Sequence, residues 1–272
     1  MDFKNKTVFI TGASRGIGKA IGLRLAKEGA NIIVAAKSIE ENPKLGGTIF
    51  SAANEMEQAG GRALAVQCDI RFESQVQTAV DKAVETFGGI DILINNASAI
   101  SLTKIEQTEP KQFDLMHDIN VRGTFFMSRA CIPHLKQSEN AHILTLSPPI
   151  NLSPKWFESH LAYTLSKYNM SMIALGLAGE LKRFKIASNT LWPKTTIATA
   201  AIKNLLGGDN LIKMSRYPGI IADAAYYILS KPSLECTANN FIDEEVLALA
   251  GISDLSKYSV TPDGKLYPDL FL

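Results

Sequence analysis

Thr7-Val8-Phe9-Ile10-Thr11-Gly12-Ala13-Ser14-Arg15-Gly16-Ile17-Gly18 decides the fold. Its first four residues form a short apolar run that predicts a strand. From Gly16 to Lys27, Ile17, Ala20, Ile21 and Leu25 recur at helical spacing until Gly29 stops the pattern. The glycines between these elements do separate jobs. Gly12 permits a tight turn, Gly16 lets the backbone approach a ligand, and Gly18 allows close packing of helix on strand. A helix N-terminus entered from such a turn presents unpaired N–H groups and the positive end of its dipole. Ser14, Arg15, Gly16 and Ile17 therefore read as a cradle for a dinucleotide diphosphate. A glycine pattern alone fits any flexible loop; the strand before it and the helix after it favour the phosphate reading.

The alternation continues outward. A second strand is expected over Asn31–Ala36, a helix up to Gly60-Gly61, a strand over Ala63–Gln67, and a helix with Val76, Val80, Val84 and Phe87 on one face. Ile90–Ile94 reads as the fourth strand, Pro110–Leu135 as one long helix, and His142–Leu146 as the fifth strand, running into Ser147-Pro148-Pro149. A second long helix carries Tyr163 and Lys167. Ile186–Trp192 is a sixth strand ending at Pro193, Ile220–Leu229 a short helix, and Asn240–Ile242 a seventh strand. Strands alternating with helices imply an α/β fold, a mostly parallel sheet covered on both faces, with ligands at the carboxyl ends of its strands. The expected organisation is one nucleotide-binding domain over residues 1–245, with residues 246–272 packing on it as an extension.

Cofactor choice turns on the end of the second strand, where a carboxylate holds a free ribose 2′-hydroxyl and a cation holds a 2′-phosphate. The sequence there is Ala35-Ala36-Lys37-Ser38, with no carboxylate before Glu40, and Arg15 can add a second cation. NADP is expected over NAD. Asp69, closing the third strand, can accept from the adenine amino group or cap the next helix. Asn95 and Asn96 close the fourth strand, where their amides can bridge strand ends or line the adenosine ribose.

Tyr163 and Lys167 stand four apart, on one helix face. A nearby ammonium lowers the phenol pKa from about 10 towards working pH and makes Tyr163 a general acid or base. Asn120 is an indifferent helix former in mid-helix, and can hold a water that relays protons to Lys167. Trp156 and Phe157 can line an apolar substrate pocket or serve as satellite packing.

A formal net charge of +1 gives no field to draw nucleic acid or an anionic membrane, so small molecules are the expected partners. Cys68, Cys131 and Cys236 form no C-x-x-C pair, and the four histidines show no ligand spacing, so neither disulfides nor a metal site is indicated. No stretch approaches the roughly twenty apolar residues of a membrane span. The N-terminus runs straight into the first strand and the end is not a Ser-Lys-Leu address, so a cytoplasmic setting without membrane insertion is expected.

Thr11-Gly12-x-x-x-Gly16-Ile17-Gly18, Asn95-Asn96-Ala97, Asn120, Tyr163-x-x-x-Lys167 and Pro193 together resemble the short-chain dehydrogenase/reductase family. More narrowly, Pro43-Lys44-Leu45-Gly46-Gly47-Thr48-Ile49, Ser147-Pro148-Pro149 and Trp192-Pro193-Lys194-Thr195 resemble its hydroxysteroid dehydrogenase-like branch. The resemblance implies a doubly wound Rossmann-type sheet of about seven strands, an NADP cofactor, and a homotetramer or homodimer built on the two long helices. It further implies that Tyr163 transfers the alcohol proton, that Lys167 binds the nicotinamide ribose, and that Asn120 holds the relay water. Some relatives in that branch carry a sterol-carrier domain after the reductase, and none is expected within these 272 residues.

Two departures carry weight. Family members place a serine where Pro148 stands by strand alignment, and proline cannot hydrogen-bond a carbonyl; Ser147 is the expected replacement, with Ser153 as an alternative. Lys194 replaces a glycine and can reach an anionic group. The expected activity interconverts a secondary alcohol and a ketone on an apolar or lipid-like substrate, by direct hydride transfer without a metal. The alternatives are a catalytically impaired NADP-binding scaffold or sensor, and an enone reductase that does not need Tyr163 as its acid.

Overall fold

The computed structural model describes residues 2–272. Its strands are β1 (Thr7–Thr11), β2 (Asn31–Ala36), β3 (Arg62–Gln67), β4 (Ile92–Asn95), β5 (His142–Thr145), β6 (Ala187–Trp192) and β7 (Asn240–Ile242). They form one seven-stranded sheet in the order β3-β2-β1-β4-β5-β6-β7, every pair parallel. Register is fixed by two-sided burial. Val8, Ile10, Ile32, Val34, Ile92 and Ile94 point into one core, while Phe9, Ile33, Leu93 and Ile143 point into the other. A slip by one residue would exchange the two sets, which is why such strands read as continuous apolar runs.

The first core lies under α1 (Gly16–Ala26), α2 (Ile49–Gln58) and the later helices that pack beside α1. The second lies under α3 (Glu73–Phe87) and the two long helical segments expected from sequence. The segment read as one helix over Pro110–Leu135 is divided. α4 (Pro110–Met116) passes through a π-helical stretch, His117–Gly123, into α5 (Thr124–Leu135). α6 (Leu161–Glu180) follows β5; α7 (Gly208–Lys213) and α8 (Gly219–Leu229) follow β6; α9 (Asp243–Leu249) follows β7. No helix among the described residues is long and apolar enough to cross a membrane.

The strand order reverses between β1 and β4, so the crossovers leave the sheet in opposite directions and a crevice opens above their carboxyl ends.

Candidate active site

The turn after β1 adopts the conformation its glycines permit: Gly12 and Gly16 have φ of 69° and 58°. Asn96 explains the spacing of the other glycine. Its Nδ2 donates to the carbonyls of Thr11 at 2.9 Å and Gly12 at 3.1 Å, tying β4 to β1. A Cβ at Gly18 would stand 2.5 Å from that nitrogen, so helix, turn and asparagine fit only with glycine there. At the head of α1 the Arg15 side chain makes no capping bond, leaving the first-turn N–H groups for a ligand. Gly12, Ser14, Arg15, Gly16 and Ile17 line a cavity of about 850 Å³. An uncapped helix start on a cavity of this size fits a dinucleotide. Asn95, by contrast, is buried and donates to Ser128 Oγ at 3.0 Å, a strand-to-helix tie outside the cavity.

Just past the end of β2, Lys37 is exposed on the cavity wall. Arg15 lies beside it, held by Gly46 O at 2.8 Å and Ser38 Oγ at 2.8 Å. These bonds give the 39–49 loop a task the sequence did not disclose: it orients Arg15. The loop is itself pressed on the glycine turn, since a Cβ at Gly47 would lie 2.5 Å from Ser14 O. Asn204 reaches across from the segment after β6 and donates to Lys44 O at 2.8 Å. Asp69 lines the cavity, but Arg71 occupies both of its oxygens, with Nε at 2.9 Å from Oδ1 and Nη2 at 2.6 Å from Oδ2. That pairing holds the Asp69 carboxyl below its ordinary value. Only its remaining lone pairs are open to an adenine, and Phe72, not Asp69, caps α3.

A second cavity, of about 610 Å³, contains Tyr163, Lys167 and Pro193. Ile17, Asn96, Ser98, Ile100, Thr199 and Ala201 line both cavities, so the two share a wall. Lys167 is almost completely buried. Its Nζ donates to Leu146 O at 2.6 Å and stands 5.0 Å from the Trp192 ring centroid. Burial lowers the Lys167 ammonium to about 7, against the pull of Asp269. Sequence reasoning expected Lys167 to draw Tyr163 towards neutral pH. The structure reverses that sign: burial, reinforced by Asp269, pushes the phenol above its ordinary value. A phenol so placed carries its proton at neutral pH.

Asn120 lies in the π-helical stretch, where the helix ladder is disturbed as its position suggested. Its amide is fully committed. Oδ1 accepts from Ala99 N at 2.7 Å, and Nδ2 donates to Ala99 O at 2.9 Å and Ser166 Oγ at 2.9 Å. Asn120 thus pins the loop after β4 to α6, and a relay water would have to use its main-chain carbonyl.

Several expected contributors stand apart. Ser147 N donates to Thr145 O at 2.9 Å, a tight turn that points the side chain inwards. Ser171 Oγ fixes the same turn by donating to Pro148 O at 2.6 Å. The Ser147 hydroxyl is consequently sealed, without a partner, and outside the cavity lining. Ser153 heads the short turn Pro154–Trp156, also outside it. Trp156 and Phe157 take the packing role: their rings lie 5.6 Å from Phe271 and 5.7 Å from Tyr168. The exposed Lys194 does not line the cavity. The apolar wall comes instead from residues such as Leu102, Trp192, Ile197, Leu211 and Met214.

Two buried carboxylates unmarked by any motif stand at or near the site, and only Asp269 lines the cavity. Asp269 enters the second cavity from the C-terminal segment. Asp243, fully buried at the start of α9, accepts from Lys194 N and Glu244 N at 2.8 Å each, while its other oxygen has no partner. Burial pushes Asp243 from 3.8 up to about 7, against both donors. The folded value exceeds the unfolded one, so stability tied to the protonated form is complete below about pH 4 and is lost as pH rises through 7. Asp243→Asn keeps an acceptor for both N–H groups and removes the ionisation. Its Tm, followed by circular dichroism, is expected to match wild type near pH 4 and exceed it by about 5 °C at pH 8.

Comparison with known proteins agrees with this geometry. Residues 6–207 match the short chain dehydrogenase family. The chain is 59% identical over 266 residues to Hydroxysteroid dehydrogenase-like protein 2 of Xenopus tropicalis, covering 98% of this chain and 63% of that protein. For the Homo sapiens protein of the same name the identity is 55%, with the same coverage of 98% and 63%. The chain thus spans 63% of the length of these curated relatives. A putative dehydrogenase from Xanthomonas campestris superposes with a TM-score of 0.97 at 54% identity, covering 100% of this chain and 99% of that one.

Proposed function

The chain belongs to the short-chain dehydrogenase family, and from that premise we propose that it is an NADP-dependent oxidoreductase interconverting a secondary alcohol and a ketone on an apolar or lipid-like substrate. The observation that carries this reading is the wall shared by the two cavities. It lets one ligand run from the glycine turn at α1 to Tyr163 and Lys167 on α6.

In this reading Gly12, Ser14, Arg15, Gly16 and Ile17 hold the diphosphate, Lys37 and Arg15 the 2′-phosphate, and Asp69 and Asn96 the adenosine side. Lys167 would hold the nicotinamide ribose, and Pro193 lines the same end of the site. The chemistry such a cofactor would supply there is hydride transfer to or from the substrate carbon. Tyr163 gives its proton to the substrate oxygen in reduction and takes it back in oxidation. The apolar second cavity excludes water and selects a hydrocarbon-like body around the reacting carbon. Three buried, unbridged cysteines suit a reduced compartment such as the cytoplasm.

Lys37 is the sharper test of cofactor choice, because Arg15 is also bound into the loop. Lys37→Glu is expected to raise the Kd for NADPH about 100-fold while leaving that for NADH nearly unchanged, read by fluorescence titration. Equal effects on both would remove the 2′-phosphate assignment. The whole reading is tested by NADPH oxidation against a panel of aliphatic and aromatic ketones.

Phe125, Leu165, Met172 and Leu175 expose apolar surface on α5 and α6, which favours a homodimer or homotetramer joined on these helices. Pro148 together with the sealed Ser147 hydroxyl favours the scaffold reading over the enone reductase as the alternative. NADPH binding without turnover across the panel would select it.

A further inference from the structure

The cavity that holds Tyr163 lacks a serine to orient the substrate oxygen. Pro148 has no donor, Ser147 is sealed behind its turn, and Ser153 lies elsewhere. Other hydroxyls on the wall are poorly disposed: Thr196 Oγ1 is paired with Ser215 Oγ at 2.8 Å, and Ser98 belongs to the boundary with the nucleotide cavity.

Asp269 differs from these groups. It lines the same cavity as Tyr163 and Lys167, and its charge is felt at both. Its place is fixed by main-chain bonds: Asp269 N donates to Lys194 O at 3.1 Å, and Thr196 N donates to Tyr267 O at 3.0 Å. The next residues are locked as well, with Trp192 Nε1 donating to Leu270 O at 2.9 Å and Phe271 buried. One carboxyl oxygen accepts from Leu270 N at 2.7 Å. The other makes no hydrogen bond among the described residues, and the residue lines the cavity.

We propose that the carboxylic acid of Asp269 donates a hydrogen bond to the substrate oxygen on which Tyr163 acts, supplying the donor that Pro148 cannot. This rests on the carbonyl-reductase reading above. As the carbonyl carbon takes up hydride, the C=O π pair moves onto oxygen. That oxygen takes the Tyr163 proton, while Asp269 retains its own and only stabilises the developing charge. An ionised Asp269 would oppose that charge, so the protonated acid is required. Burial and the neighbouring Asp243 push the carboxyl up to about 7, with Lys167 pulling the other way. The other titratable groups on this side include Tyr163, His160 and Tyr168, whose rings pack on Phe271, and Tyr267 on the cavity wall.

The test uses the full chain with NADPH and three probes, acetophenone, 2-decanone and 3-oxodecanoyl-N-acetylcysteamine, comparing wild type, Tyr163→Phe, Asp269→Asn and Asp269→Leu. Asp269→Leu is expected to lower kcat about 100-fold with NADPH affinity unchanged, and Asp269→Asn, which keeps an N–H donor, less than tenfold. A second readout needs no turnover. The infrared difference spectrum between wild type and Asp269→Asn, both NADP-bound at pH 6.5, is expected to contain a protonated-carboxyl band. Loss of activity in Tyr163→Phe but not in Asp269→Leu overturns the proposal and leaves the reductase reading standing. An ionised carboxylate in the infrared overturns it too. Failure of wild type to reduce any probe sinks the reductase reading and the proposal together.

Discussion

Tyr163→Phe is expected to lower kcat for ketone reduction by about 1,000-fold, the scale of a lost general acid, while the Kd for NADPH stays within about twofold. The substitution removes one oxygen from a ring that the fold holds independently of it. The Tyr163 ring lies 6.3 Å from His160 and 6.1 Å from Phe271, and its hydroxyl has no hydrogen-bond partner among the described residues. Phenylalanine therefore orphans no buried group and fills the same space. Lys167 also remains in place, because its ammonium is held by Leu146 O and the Trp192 face and not by the phenol. An equal fall in kcat and kcat/KM with intact binding would locate the hydroxyl at the transition state. Turnover of an enone in Tyr163→Phe at the wild-type rate would instead favour the enone-reductase alternative, in which this phenol is not the acid.

The sequence was most legible where one residue type satisfies a single geometric demand. Gly12 and Gly16 adopt the left-handed conformation, Gly18 makes room for Asn96, and the apolar runs become a parallel sheet because both faces are covered. Tyr163 and Lys167 were legible through their helical spacing together with their place after the fifth strand and its Pro-rich turn. The substrate side was not, because it depends on contacts distant in sequence. Ser147 reads as an available hydroxyl until the Ser171 bond to Pro148 O shows which way its turn faces. Trp156 and Phe157 read as pocket aromatics, yet Phe271 and Tyr168 claim them. The pKa of Tyr163 was illegible for a related reason: a neighbouring charge can be read from spacing, whereas desolvation depends on the whole enclosure. Asp269 sits among prolines and carries no motif. Only its docking between Lys194 and Trp192 gives it a place in the site.

Phe271→Ala is expected to release that C-terminal segment while the sheet stays folded. Phe271 is 1% exposed, with ring centroids at 5.6 Å from Trp156, 5.2 Å from Tyr168 and 5.9 Å from Trp192. It also holds a φ of 77°, a conformation that costs a bulky residue about 1–3 kcal/mol and persists only when packing enforces it. Truncation to alanine forfeits about 3–5 kcal/mol of burial and leaves the remaining main-chain bonds, each worth about 1 kcal/mol, as the principal restraint. Because the segment can detach without breaking the sheet, the loss is limited to its own docking energy. Tm should then fall only slightly while hydrogen exchange over residues 265–272 accelerates about 100-fold or more. The two tryptophans make the event visible. Both pack on Phe271, and Trp192 Nε1 loses its acceptor when Leu270 departs, so emission should shift to the red as both rings meet water. Unchanged emission and exchange would show that the main chain, not the aromatic anchor, holds the segment. Released, the segment removes Asp269 and Leu270 from the cavity wall and admits water beside Tyr163, so reductase activity should fall with the emission shift while NADPH binding in the neighbouring cavity persists.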